Sequence, residues 1–241
     1  MRQASFEGLY NSTNIEDIAG RSYDVIVCSG APAEKWKANK EPDRDREVLG
    51  RLTDALVRAE ARKVVLISTV DVYPVPSGVD EATVIDEEQA QPYGKHRREL
   101  ERAIAARFDT LIVRLPGLFG TGLKKNIIFD FLHGNRVDQV HADSVFQFYH
   151  LDMLWRDIGI ARDRGLDLVN FATEPVSVRE VARRAFGLDF DNAPPSAPAR
   201  YDVRSHHAST WGGHRGYLRD REEVLTALRG FVGSERERSP A

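Results

Sequence analysis

Three short, unbroken apolar runs constrain this chain more than any other feature: Asp24 to Cys28 ("DVIVC"), Lys63 to Thr69 ("KVVLIST") and Thr110 to Leu115 ("TLIVRL"). Each is rich in β-branched residues and lacks the alternation of a half-solvated strand, as strands covered on both faces should. Between them lie helical patterns. Arg44 to Ala59 sets Val48, Leu49, Leu52 and Leu56 on one face, and Tyr93 to Arg107 does the same with Leu100 and Ile104. Strands alternating with helices of this length predict a parallel sheet joined by right-handed crossovers, so the expected fold class is α/β, a doubly wound parallel sheet.

The later part continues the pattern less regularly. "IIFDFL", "LDMLWRDIGIARDRG" and "SVREVARRAFG" read as helices, and Ser177 with Glu180 forms a capping box for the last. Asp167 to Ala172 reads as a strand, "DNAPPSAPARYD" as an irregular connection, "DREEVLTALRGFV" as a closing helix and "GSERERSPA" as a frayed tail. The 241 residues suit one domain over about residues 1–235, with residues 236–241 as tail.

Charge and composition remove several classes of function. The 34 basic and 37 acidic residues are interspersed, giving a net charge of -3 and no footprint for nucleic acid or a membrane surface. Cys28 is the single cysteine, so no intrachain disulfide can form, and a small buried strand residue in a reduced compartment is expected. No apolar stretch reaches membrane-spanning length and "MRQASFEGLY" lacks a signal-peptide core, which points to the cytoplasm. His206, His207 and His214 have no cysteine or carboxylate at ligand spacing and read as surface residues, with no metal expected. Asp86, Glu87 and Glu88 read as a solvated acidic loop.

The residues suited to chemistry gather around Tyr93, which follows Pro92 at a helix start. Arg97 lies one turn further on the same face, where a cation would stabilise a tyrosinate and pull the phenol pKa down, while Lys95 points to another side. Ser68 and Thr69 end a strand at the carboxyl edge of the sheet, where open α/β folds place their ligands. Taken alone, these residues admit two readings: an acid/base site, or an ordinary helix that begins with tyrosine.

Their order along the chain resembles the extended short-chain dehydrogenase/reductase superfamily, in its NAD-dependent epimerase/dehydratase branch. "STVDVY" is similar to the family's Ser/Thr-rich strand end, "YGKHR" to its Tyr-Gly-Lys-x-Lys helix start, "RLPGLFGTG" to its substrate-side loop and "LVNFATEPVSVREVA" to a segment near its C-terminus. The resemblance spans about Asn11 to Phe186 and implies a Rossmann-like sheet, NAD or NADP as cofactor, and a small substrate-side region from about residue 120. It implies catalytic roles for Thr69, Tyr93 and Arg97. Cofactor contacts are implied at Asn11, Ser12, Ser29, Gly30, Ala31, Ser68, Pro116 and Gly117. Substrate contacts are implied at Asp71, Lys124, Lys125 and Asn126, although "GLKKN" equally reads as a solvated basic turn.

The sequence departs from that family twice. Arg97 stands where the family has lysine; it is bulkier, planar, and cannot release a proton near neutrality. The strand "YDVIVC" corresponds to the family's fourth, so an N-terminally shortened sheet without the glycine-rich turn is expected. Losing that turn's donors to a pyrophosphate, at about 1.5 to 3 kcal/mol each, is expected to weaken dinucleotide binding or abolish it. "GLFGTG" is not a replacement, since it follows the Tyr93 helix. Two functional readings follow. One is an NAD(P)-dependent oxidoreductase or epimerase/dehydratase acting on a nucleotide sugar or another small carbonyl or hydroxyl compound, as a homodimer. The other is a non-catalytic binding or assembly protein derived from the same fold.

Overall fold

The computed structural model describes residues 5–238. Its first half runs β1 (Ser22–Cys28), α1 (Lys35–Lys40), α2 (Pro42–Val57), β2 (Glu60–Thr69), β3 (Ser77–Val79), α3 (Pro92–Arg107) and β4 (Thr110–Leu115). The second half adds β5 (Gly117–Phe119), α4 (Ile127–His133), β6 (Val145–Phe146), β7 (Phe148–His150), α5 (Leu154–Asp163), β8 (Leu168–Asn170), β9 (Val176–Ser177), α6 (Val178–Val181), β10 (Asp202–Val203) and α7 (Arg221–Arg238). The chain forms two compact units. One holds the chain up to Val75 with Ala82–Arg114 and Ile158–Val169; the other holds Pro76–Glu81, Leu115–Asp157 and the chain from Asn170 onward.

The first unit is built on a four-stranded sheet of order β1-β2-β4-β8, with β1 at one edge. β1 and β2 run parallel in register from Ser22 opposite Glu60 to Cys28 opposite Leu66. All six residues of β4 are buried, which is why its sequence shows no polar alternation. Val64 and Leu66 of β2 join Ile26, Cys28 and Ile112 in one core with Leu49, Leu52, Ala55 and Leu56 of α2 and Leu100 and Ile104 of α3. Val65, between them, is buried but outside that cluster, as a period of two requires. The expected parallel α/β sheet is therefore the one observed. One face assignment changes: Val48 is 37% exposed, and Ala55 fills the stripe that it was expected to share.

α1 was not anticipated, because "KWKANK" buries only Ala38 and has no apolar period. It nevertheless contributes to α3. Pro92 opens α3 and Gln91 gives it no side-chain cap, so the Tyr93 N–H would be an orphan donor; Asn39 Oδ1 accepts it at 3.0 Å.

The second unit pairs β5 with β7 and β10 with β3 in parallel, and β6 with β9 antiparallel. Its core joins Phe119, Ile128, Phe148, Val176 and Phe186 to Leu225, Leu228, Phe231 and Val232 of α7. The capping box forms as the sequence predicts, with Ser177 and Glu180 bonding reciprocally at the start of α6. A π-helical turn over Ala182–Phe186 then continues that helix. α7 runs on through residues 233–238, where a frayed tail was expected; residues 239–241 lie outside the described residues.

Candidate active site

Adjacent residues at the end of β2 turn opposite ways, and this separates the two candidate hydroxyls. Ser68 Oγ donates to Glu101 Oε1 at 2.6 Å. Glu101 is 0% exposed and also takes two bonds from Arg114, at 3.0 and 2.7 Å, and one from Arg98 at 2.9 Å. Arg114 Nη1 in turn donates to the Tyr73 hydroxyl at 2.8 Å. The Ser68 hydroxyl is thus committed to a buried ion-pair network, not turned toward Tyr93.

Thr69 faces the other way, toward Tyr93, whose phenol pKa its side chain helps to draw down. Thr69 also caps the single 3-10 turn Val70–Val72, accepting the Asp71 N–H at 3.1 Å, and its hydroxyl lies 3.4 Å from Asp71 Oδ2. The approach of this turn to α3 depends on Gly94. A Cβ there would lie 2.0 Å from the Asp71 carbonyl oxygen and 3.4 Å from the Val72 Cα. Only glycine lets the first turn of α3 come close enough to bring Tyr93 to Thr69.

Arg97 behaves differently from the expectation. It is 2% exposed, and its guanidinium stacks over the Tyr93 ring at 3.9 Å, beside the face and not the hydroxyl alone. Asp45 of α2 takes it in a two-pronged pair, Nη1 to Oδ2 at 2.6 Å and Nη2 to Oδ1 at 2.9 Å. The same nitrogens donate to the Tyr93 carbonyl at 3.1 Å and to the Pro32 carbonyl at 2.5 Å. His96 Nδ1 completes the cluster, 2.8 Å from Asp45 Oδ2. Burial pushes the Asp45 carboxyl up, but hydrogen bonds from Arg97 and His96 outweigh it and hold the group below its ordinary value of 3.8.

The Tyr93 phenol is accordingly not depressed. Burial pushes it above its ordinary value of 10.0, with the Asp71 carboxylate acting the same way; Arg97, Thr69 and Lys35 only partly oppose this. At neutral pH the phenol is protonated and can donate. Lys35 also reaches this cluster, although no pattern in the chain singles it out. It sits at the start of α1, and its Nζ lies 2.6 Å from Asp71 Oδ1. Only long-range packing brings it there, across 36 residues of sequence.

The remaining expected contacts lie as follows. Ser29 and Gly30 are exposed just past β1, and Ala31 packs partly against the core. Asn11 and Ser12 are exposed in a local turn, where Asn11 Oδ1 accepts from the Thr13 N–H and hydroxyl. In the second unit Pro116 is buried, and the Gly117 N–H donates to the Gln147 carbonyl at 3.1 Å. Lys124 and Lys125 are exposed. Asn126 caps α4 through Oδ1 and donates to the Leu118 carbonyl at 2.7 Å, so its side chain holds its own loop. Lys95 does point elsewhere, 2.9 Å from Glu88, and Glu87 pairs with Arg98 and Arg102, so the acidic loop is tied to α3. His206 pairs with Asp80 at 2.6 Å. Among the described residues no cluster of His, Cys, Asp and Glu is placed to hold a metal ion, and no helix is long and apolar enough to cross a membrane.

The mostly parallel sheet with its covering helices is a Rossmann-like fold, and solved structures share it across most of the chain. RMD from Pseudomonas aeruginosa, complexed with NADPH, is 14% identical with a TM-score of 0.73, over 98% of this chain and 90% of that one. MoeE5 in complex with UDP-glucose and NAD is 21% identical with a TM-score of 0.65, over 95% and 85%. A double mutant of DesIV, a dTDP-glucose 4,6-dehydratase from Streptomyces venezuelae with NAD and DAU bound, is 18% identical with a TM-score of 0.69, over 94% and 78%. At these identities the likeness is one of fold. No protein-family model and no curated protein sequence matches the chain.

Proposed function

We propose that the chain is an NAD(P)-dependent oxidoreductase or epimerase/dehydratase acting on a nucleotide sugar or another small carbonyl or hydroxyl compound. The observation that carries this reading is the juxtaposition of Thr69 and Tyr93 at the carboxyl edge of β2, in a fold shared with structures that hold NAD or NADPH. The exposed backbone of Ser29 and Gly30 at the end of β1 fits a dinucleotide. Arg97 does not fit the ribose-holding duty of the family lysine, since every bond it makes goes to Asp45, Pro32 or Tyr93.

A bound nicotinamide would supply hydride chemistry. The chain's own part is proton transfer and orientation: Tyr93, protonated at neutral pH, donates its phenolic proton to a substrate oxygen, and the Thr69 hydroxyl orients that oxygen. Lys124 and Lys125 are the proposed contacts to a charged substrate, and a homodimer through α2 and α3 is part of the same reading.

The test is titration of the purified chain with NADH and NADPH by fluorescence, followed by turnover of a reducible carbonyl compound. Binding of either dinucleotide, with turnover lost in Tyr93→Phe and the fold retained, is the expected result. Failure of both dinucleotides to bind at millimolar concentration would overturn it. The second reading, a non-catalytic descendant, is favoured by one observation, the neutralisation of Arg97 by Asp45. It predicts that Tyr93→Phe behaves like the parent in every assay.

A further inference from the structure

Two cations lie near Tyr93, and they are held in different ways. Arg97 is buried and locked against Asp45. The Lys35 side chain is 44% exposed and bridges to Asp71, whose own side chain is 18% exposed. Asp71 is in turn bound to Thr69 twice, by its N–H at 3.1 Å and through Oδ2 at 3.4 Å. A bonded chain therefore runs from Lys35 to Asp71 to Thr69, beside the Tyr93 phenol.

We propose that Lys35 is a positioning residue of this site, holding Asp71 by its salt bridge and, through Asp71, the Thr69 hydroxyl that meets Tyr93. The proposal rests on the reading of Tyr93 as the site's proton donor. Without Lys35, the Asp71 carboxylate charge opposes any negative charge developing on the phenol. Lys35 compensates that charge, and its ammonium on Oδ1 fixes the carboxylate whose Oδ2 the Thr69 hydroxyl reaches. The groups around Tyr93 come from several elements: Lys35 from α1, Thr69 from the end of β2, Asp71 from the turn that follows it, and Arg97 from α3, with Asp45 of α2 and His96 of α3 behind Arg97. Of these charges, only the Lys35–Asp71 bridge is open to solvent on its cationic side, so it alone can be altered without opening the core.

The experiment places 3,5-difluorotyrosine, whose phenol ionises near neutrality, at position 93 of the full chain and follows its titration by fluorine NMR. Lys35→Met should raise the midpoint by about one unit, and Lys35→Arg should restore it. Asp71→Asn should lower it, and the double variant should return close to the parent, since both charges then vanish together. Lys40→Met, on the same helix, should change nothing. A Lys35→Met titration that overlays the parent's would overturn the proposal, as would an equal shift in Lys40→Met. The readout needs no cofactor. A shifted titration in a chain that binds no dinucleotide defeats the enzymatic reading alone; turnover with an unmoved titration defeats only the role of Lys35.

Discussion

α3 carries two buried arginine–carboxylate pairs that look alike and do different things. Toward its C-terminal half Glu101 meets Arg114, and the pair is ringed by Ser68, Tyr73 and Arg98 until both charges are covered. In its second turn Arg97 meets Asp45, with His96 and two backbone carbonyls completing the shell, and Arg97 Nε has no partner. The first pair ties α3 to β2 and β4 and belongs to the core. The second shapes a site, because its guanidinium lies on the ring of Tyr93. What surrounds an ion pair, and not the pair itself, decides whether it acts as scaffold or as part of a site.

The largest expected effect tests the scaffold side. Arg114→Met leaves Glu101 buried without its main counter-charge and should cost about 3 to 5 kcal/mol, read as a fall in the midpoint of urea unfolding. A loss under 1 kcal/mol would mean that Arg98 alone compensates Glu101. Next comes Asp45→Asn, which should cost about 1.5 to 3 kcal/mol at pH 7 by removing a charged partner of Arg97. Because the folded Asp45 carboxyl sits below its ordinary 3.8, its contribution is full above about pH 4 and is lost as the pH falls through the folded value. The difference between parent and variant should therefore close in acid, and a constant gap down to pH 2 would contradict the assignment. The smallest effect belongs to the exposed pair that joins the same helix to the acidic loop before it. Lys95→Ala breaks the bridge to Glu88, whose side chain is 86% exposed, and should cost no more than about 0.2 to 1 kcal/mol, shrinking further in high salt.

The sequence made the first pair's helix and strands legible and hid the pair itself. The apolar runs of β1, β2 and β4 and the stripe of Leu100 and Ile104 needed only periodicity, a local property. Thr69 and Tyr93 could be placed because a strand end and a helix start are both marked in the chain. Ser68 was read as a second site hydroxyl, although alternation along a strand already implied that one of two neighbours must face away. The neutralisation of Arg97 was not legible, because Asp45 lies 52 residues earlier on another helix. Lys35 escaped for the same reason, compounded by a helix too short and polar to announce itself.

Gly94 has a consequence for reading other chains of this shape. A methyl group at that position would collide with the Asp71 carbonyl whether or not the neighbouring tyrosine ever transfers a proton. Packing alone thus preserves a glycine after the tyrosine in any relative that keeps this contact, including one that has lost its chemistry. Its presence in a motif search carries information about architecture and none about turnover.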